Sequence, residues 1–191
     1  MTRILLFCTA EEAKPFIPKI LKTRSIFYLV ESTTCPATRD GFKTSLADND
    51  TSFQSDFLNA SAQQCKDWAL EKQAQVKFIE MNIIAIADAR TAVDQTISMC
   101  YYNEAADEGP LDFDEWGPLP PEGNKWYDYR IDYRGAVMVH VALMYGPFDS
   151  AYPTYFGRKA ELTDANGVFD VERANRYVRG EEGGETTTGE N

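Results

Sequence analysis

The sequence predicts an α/β fold: a single domain over residues 1–180, built on a mixed sheet of about five or six strands with helices covering at least one face. Three observations carry this. The eight residues from Tyr127 to Arg134 alternate strictly between aromatic or aliphatic and charged. A strand there sends Tyr127, Tyr129, Ile131 and Tyr133 to one face and Asp128, Arg130, Asp132 and Arg134 to the other, sheltered rings against a solvated ladder of charges. The chain also opens strand, helix, strand. Finally, Ile83 to Ala87 and Thr96 to Tyr102 are short apolar runs of the length a central strand needs.

Taken in order, Arg3 to Cys8 reads as a buried strand, and Thr9-Ala-Glu-Glu12 has the Thr-x-x-Glu spacing of a helix capping box. Ala13, Phe16, Ile17, Ile20 and Leu21 then recur at helical spacing. Pro15 and Pro18 require that helix to bend or to begin near Pro15. Ser25 to Val30 is the second strand, compatible with a right-handed parallel crossover. Residues 31–59 are polar and read as a long loop pinned by Phe42, Phe53 and Phe57. Ser61-Ala-Gln-Gln64 repeats the capping-box spacing, and Ala62, Cys65, Trp68 and Ala69 supply the buried stripe of the helix behind it.

From Thr91 to Asn124 there is no Lys or Arg but there are eight acids: Asp94, Glu104, Asp107, Glu108, Asp112, Asp114, Glu115 and Glu122. With four prolines and three glycines, residues 103–124 form a long acidic excursion between strands. After the Tyr127 strand, Ala136 to Tyr145 is apolar on both parities except for His140, and reads as a further strand stopped by Gly146-Pro147. Phe148 to Phe156 is a short helix interrupted by Pro153, Gly167 to Asp170 a turn or short strand, and Val171 to Arg179 a last helix closed by Gly180. The tail 181–191 has no apolar residue and is expected to be disordered.

A net charge of −11 disfavours phosphate backbones, so nucleic acid is not an expected partner. No apolar run approaches the length of a membrane helix, and Ile4 to Phe7 is too short for a signal peptide. A cytoplasmic protein is expected. Cys8, Cys35, Cys65 and Cys100 lie far apart with no Cys-x-x-Cys pair, and one histidine leaves little to complete a zinc site. Buried free thiols fit better than two disulfides, and no metal is expected.

Ile83-Ile-Ala-Ile-Ala-Asp-Ala-Arg-Thr-Ala92 with the strand to Tyr102, then Val139-His-Val-Ala-Leu-Met-Tyr-Gly-Pro-Phe148 and Gly167-Val-Phe169, resembles a family of small bacterial and fungal α/β domains of unassigned function. The likeness covers about half the chain. The acidic excursion departs from it, being longer than that family's connection. The resemblance implies an α/β fold and carries no catalytic residues.

Several residues are candidates for chemistry. His140 is the only side chain whose ordinary pKa lies near neutrality, and it shares its expected strand face with Met138, Ala142 and Met144; a general base and a core histidine both fit. Asp88 and Arg90 stand just past an apolar strand, where α/β sheets bind ligands and where a capping ion pair also sits. Tyr127, Tyr129 and Tyr133 line either a pocket for an apolar small molecule or a covered core. Asp112-x-Asp-x-x-Gly117 resembles the start of a calcium loop, but Trp116 occupies the fifth position and Gly123 the twelfth, where oxygen ligands are needed. The first strand-to-helix turn, Cys8-Thr-Ala-Glu-Glu12, lacks glycine and places two acids where a phosphate would sit, so nucleotide cofactors are disfavoured and no cofactor is expected.

Two functions follow as expectations. The first is a binding or interaction protein that meets a basic partner through the acidic excursion, with Asp112 and Asp114 around an exposed Trp116 anchor. Arg173, Arg176 and Arg179, on one side of the last helix, are an alternative basic partner within the chain. The second is a small metal-free isomerase, cyclase or hydratase, with His140 and either Tyr133 or Asp88 as acid and base. The enzyme needs an enclosed pocket where His140 meets a second titratable group.

Overall fold

A computed structural model describes residues 2–23, 25–104 and 109–182. In chain order the regular elements are β1 (Arg3–Cys8), α1 (Ile17–Lys22), β2 (Phe27–Val30), α2 (Ala62–Gln73), β3 (Ile79–Ala87), the single turn α3 (Thr91–Asp94), β4 (Thr96–Asn103), β5 (Leu111–Phe113), β6 (Gly117–Leu119), β7 (Lys125–Asp132), α4 (Ala136–Tyr145), α5 (Phe148–Tyr152) and α6 (Val171–Val178). Five strands form one mixed sheet in the order β2-β1-β3-β4-β7, and β5 and β6 pair as a separate hairpin. β1 runs parallel to β2 and β3, whereas β4 is antiparallel to β3 and β7. This is the expected α/β domain.

The sheet has two cores. On one face Leu6, Leu29, Ile83, Met99, Tyr129 and Ile131 pack beneath α1, α4 and α6. On the other, Leu5, Phe7, Tyr28, Ile84 and Ile86 meet Cys65 and Ala69 of α2 and Phe42 and Phe57 of the long loop. Phe42, Phe53 and Phe57 are all buried, so they do pin residues 31–59. The strand side carrying Tyr129 and Ile131 is sheltered, as the alternation requires, and Asp128 on the opposite side is exposed. The α2 capping box is complete: Gln64 N–H donates to Ser61 Oγ at 3.2 Å and Ser61 N–H to Gln64 Oε1 at 2.8 Å.

Several expectations need correction. Ala136–Tyr145 is a helix, not a strand. A run apolar all round has neither period, and ten residues exceed the usual strand. The chain turns into it through a 3-10 segment, Tyr133–Gly135, so Tyr133 leaves the alternating strand at Asp132, whose Oδ1 accepts Arg134 N–H at 2.9 Å. Gly135 permits the close approach to α6, since a Cβ there would lie 3.1 Å from Val171 Cβ. Thr9 caps no helix; its hydroxyl reaches Ala87 O at 3.4 Å, and a 3-10 turn, Glu11–Phe16, precedes α1. Pro18 sits in the first turn of α1, where its missing amide hydrogen costs nothing.

The acidic excursion is not wholly irregular, because β5 and β6 form a hairpin inside it; Asp107 and Glu108 lie outside the described residues. The last helix stops at Gly180, φ 70°, as expected. Residues 183–191 of the predicted tail lie outside the described residues. Its first residues are held: Glu182 takes Arg173 Nε at 3.2 Å and Arg176 Nε at 2.5 Å.

Candidate functional site

His140 lies near the middle of α4 and is 3 % exposed. Its neighbour is Glu80, an acid sixty positions earlier in the chain that no local spacing links to it. β3 carries an irregularity at that point: Arg3 pairs with Ile79 but Leu5 with Ile84, and Asn82 takes φ 62°. Such a bulge re-aims side chains. Gln73 repairs the interrupted ladder by donating to Glu80 O at 2.7 Å and Ile83 O at 3.2 Å. Glu80 Oε2 then accepts Tyr145 Oη at 3.0 Å and Thr2 Oγ1 at 2.5 Å. His140 Nε2 is 3.2 Å from the same oxygen but off axis, and so is buried with no hydrogen bond among the described residues. None of the three cavities described below includes His140.

Asp88 and Tyr133 are not part of this cluster. Asp88 binds the guanidinium of Arg130 in a two-pronged contact, with Nη1 3.0 Å from Oδ1. Its backbone N–H donates to Thr91 Oγ1 at 3.1 Å and its Oδ1 accepts Arg90 N–H at 3.1 Å, which starts α3. Arg90 itself pairs with Asp94, Nε to Oδ2 2.6 Å, and donates to Asn166 O at 2.8 Å. The geometry is that of a capping and ion-pair network at the strand end. It also corrects the view of Arg130 as a solvated charge, because the arginine lies across the sheet on Asp88 and its side chain is only 16 % exposed. Burial alone would raise the Asp94 carboxyl, but bonds from Thr96 and Arg90 outweigh it and hold the group below its ordinary value.

The tyrosine face divides in two. Tyr129 is core: its hydroxyl donates to Tyr155 O at 2.9 Å, its ring meets Phe169 edge-on, and burial drives the phenol pKa well up. Tyr127 lies at the margin, 4.9 Å from the Phe156 ring, and donates to Glu122 O at 2.9 Å.

Trp116 is not a bare anchor. It is half-buried against Gly157, where a Cβ would come within 2.6 Å of its indole, and Arg158 lies over its ring at 5.2 Å. Arg158 also covers Tyr177 at 4.9 Å, so the tryptophan docks the β5–β6 hairpin onto the helical layer. Asp112 and Asp114 project from that hairpin, exposed. The α6 arginines do not receive them: Arg173 pairs with Glu161 and Glu182, Arg176 with Glu182, and Arg179 with Glu181.

One surface follows from the helical state of α4 and has no counterpart in a strand. As a helix, it turns Val139 and Leu143 inward and leaves Val141 50 % and Tyr145 63 % exposed; Phe148, opening α5, is 53 % exposed. Val141 and Tyr145, four residues apart, share one side of α4, and Phe148 follows across the extended Gly146-Pro147 break. Phe148 and Leu111 of β5 line a common cavity of about 380 Å³ with Leu119 and Tyr152, so the apolar strip continues to the acidic hairpin. A second cavity, about 570 Å³, lies between Asp132, Asp164, Asp170 and Phe169. A third, about 390 Å³, opens at the outer edge of β7.

All four cysteines are free. Burial pushes the Cys8 thiol up to about 11 and Cys65 to about 12, and raises Cys100 further, so none is an activated thiolate. Among the described residues, no group of three or more His, Cys, Asp or Glu side chains is placed to hold a metal ion, and no helix is long and apolar enough to cross a membrane. Comparison with family models, curated proteins and solved structures finds no match.

Proposed function

We propose that the chain is a binding protein that takes a basic, amphipathic partner on the uncovered side of α4 and α5, beside the acidic hairpin. The single observation behind this reading is the exposed apolar surface of Val141 and Tyr145 on α4, a helix with no Asp, Glu, Lys or Arg, and of Phe148 at the start of α5, each half or more exposed. A helix apolar on every side is ordinarily buried. Large apolar side chains gathered on one exposed side mark interaction surfaces. Asp112, Asp114 and Glu115 on the hairpin and Asp149 on α5 supply negative charge around it, in a chain of net charge −11. Partner side chains of the Leu or Phe type meet the strip, and Lys or Arg side chains meet the acids. The free thiols agree with the cytoplasmic setting that this reading takes.

The test is a fluorescence anisotropy titration with a labelled amphipathic Leu/Lys peptide. Saturable binding is expected to weaken about tenfold or more in the double variant Val141→Glu/Phe148→Glu, equivalent to about 1.4 kcal/mol. It should also weaken in Asp112→Asn/Asp114→Asn as salt ceases to matter. Equal affinity for the native chain and the apolar-strip variant overturns the reading.

Acid–base catalysis is the second reading, and its best pair is His140 with Glu80, not Asp88 or Tyr133. The pair sits at a bulge, a feature often found beside active sites. Its burial, with no described cavity alongside, makes it the weaker of the two.

A further inference from the structure

The third cavity is chemically unlike the rest of this acidic surface. It is lined by Pro121, Lys125, Trp126, Tyr127, Asp128, Phe156 and Lys159, so three aromatic residues and two lysines border it with one acid, Tyr127 and Phe156 on one face of β7 and Trp126 on the other. The charges are unequally satisfied. Asp128 Oδ2 is taken by Lys66 Nζ at 2.6 Å, a lysine whose side chain is only 8 % exposed. Lys125 is taken by Glu122 at 2.5 Å. Lys159 has no carboxylate within ion-pair distance among the described residues; its ammonium lies over the Tyr129 ring at 4.6 Å. Burial presses its pKa below the ordinary lysine value, with Asp128 pulling the other way. A half-buried cation lacking its own anion leaves a place for one.

The backbone adds donors. β7 is the last strand of the sheet, and among the described residues its outer edge is covered only at Arg130 O, by Phe169 N–H at 2.7 Å. Residues two and four positions earlier present their N–H and C=O groups on the same side. Those are Asp128 and Trp126, and neither has a backbone partner on that side among the described residues. The indole N–H of Trp126 is also buried, with no acceptor among the described residues. A buried donor left unmet is costly, and an incoming oxygen can satisfy it.

We propose that this cleft binds a small flat aromatic carboxylic acid at the open edge of β7, with its carboxylate on the Lys159 ammonium and its ring against Tyr127 and Phe156. The volume, about 390 Å³, holds one or two fused rings. The site is separate from the α4–α5 strip, and its success or failure leaves that reading untouched.

The probe is indole-3-carboxylate, titrated calorimetrically into the full chain, with indole-3-carboxamide as its neutral counterpart. The carboxylate should bind at a single site, about tenfold or more tighter than the amide, because a charge-assisted bond is lost in the latter. Lys159→Met keeps the stem over Tyr129 and should lose the same factor, whereas Lys159→Arg retains most of the affinity. Equal binding of acid and amide overturns the proposal without recourse to any variant. So does a Lys159→Met chain that binds like the native one, or the absence of carboxylate binding at millimolar concentration.

Discussion

On α4, Val139 and Leu143 face the sheet and are 0 % and 2 % exposed, whereas Val141 and Tyr145, drawn from the same apolar run, are 50 % and 63 % exposed. The chemistry of the two sides is nearly alike; what differs is whether another element lies across them. The inner side meets Ala174 and Val171 of α6 and the sheet residues Met99 and Ile131 within one core. The cysteines repeat the contrast: Cys8, Cys65 and Cys100 are buried beneath helices or strands, and Cys35, in the long loop, is half-buried. Apolar content therefore does not identify core in this protein. Coverage does, and apolar surface without coverage is what a partner would bury.

The largest expected effect breaks that comparison if it fails. Leu143→Ala should cost about 2–5 kcal/mol by urea denaturation, through lost transfer energy and a cavity, while Val141→Ala stays within about 0.5 kcal/mol. Similar losses at both positions would mean that the outer side is packed after all.

Alkaline titration gives the next effect. The folded thiols of Cys8 and Cys65 ionise at about 11 and about 12, above the ordinary value of 9.0. Above pH 9 the unfolded chain releases protons that the folded chain still holds. Stability is therefore intact below pH 9 and falls as pH rises toward 11, by about 1.4 kcal/mol per pH unit for each thiol. Cys8→Ala/Cys65→Ala should flatten that slope, as read from denaturation midpoints across pH 8 to about 11.

A smaller effect sharpens the thiol half of the contrast. Iodoacetamide at neutral pH should label Cys35 first, followed by mass spectrometry, with Cys8, Cys65 and Cys100 modified only as the chain unfolds. Early labelling of Cys65 would indicate that α2 opens easily.

Much of the fold can be read locally. The Tyr127 alternation, the Ser61 capping box and the Gly180 stop each depend on residues within a few positions of one another, and each appears in the structure. The candidate chemistry fared differently. His140 was visible as a titratable group, but its neighbour Glu80 lies sixty positions earlier on a bulge whose only sequence mark is Asn82, a residue tolerant of positive φ. Arg130 looked solvated because alternation describes faces and not what crosses them; its partner Asp88 stands just past the end of β3, two strands away. Trp116 looked like an exposed anchor amid acids, and Gly157, forty-one positions later, takes its ring.

Residue spacing was thus enough to write the strands, the caps and the acidic character of the chain, because those depend on backbone period and on charge carried residue by residue. The helical state of Ala136–Tyr145, the Asp88–Arg130 pair and the seat of the Lys159 ammonium over Tyr129 were settled by packing between distant segments. An all-apolar run has no period to betray its geometry, and no local rule says which charges will meet once the sheet has brought remote strands together.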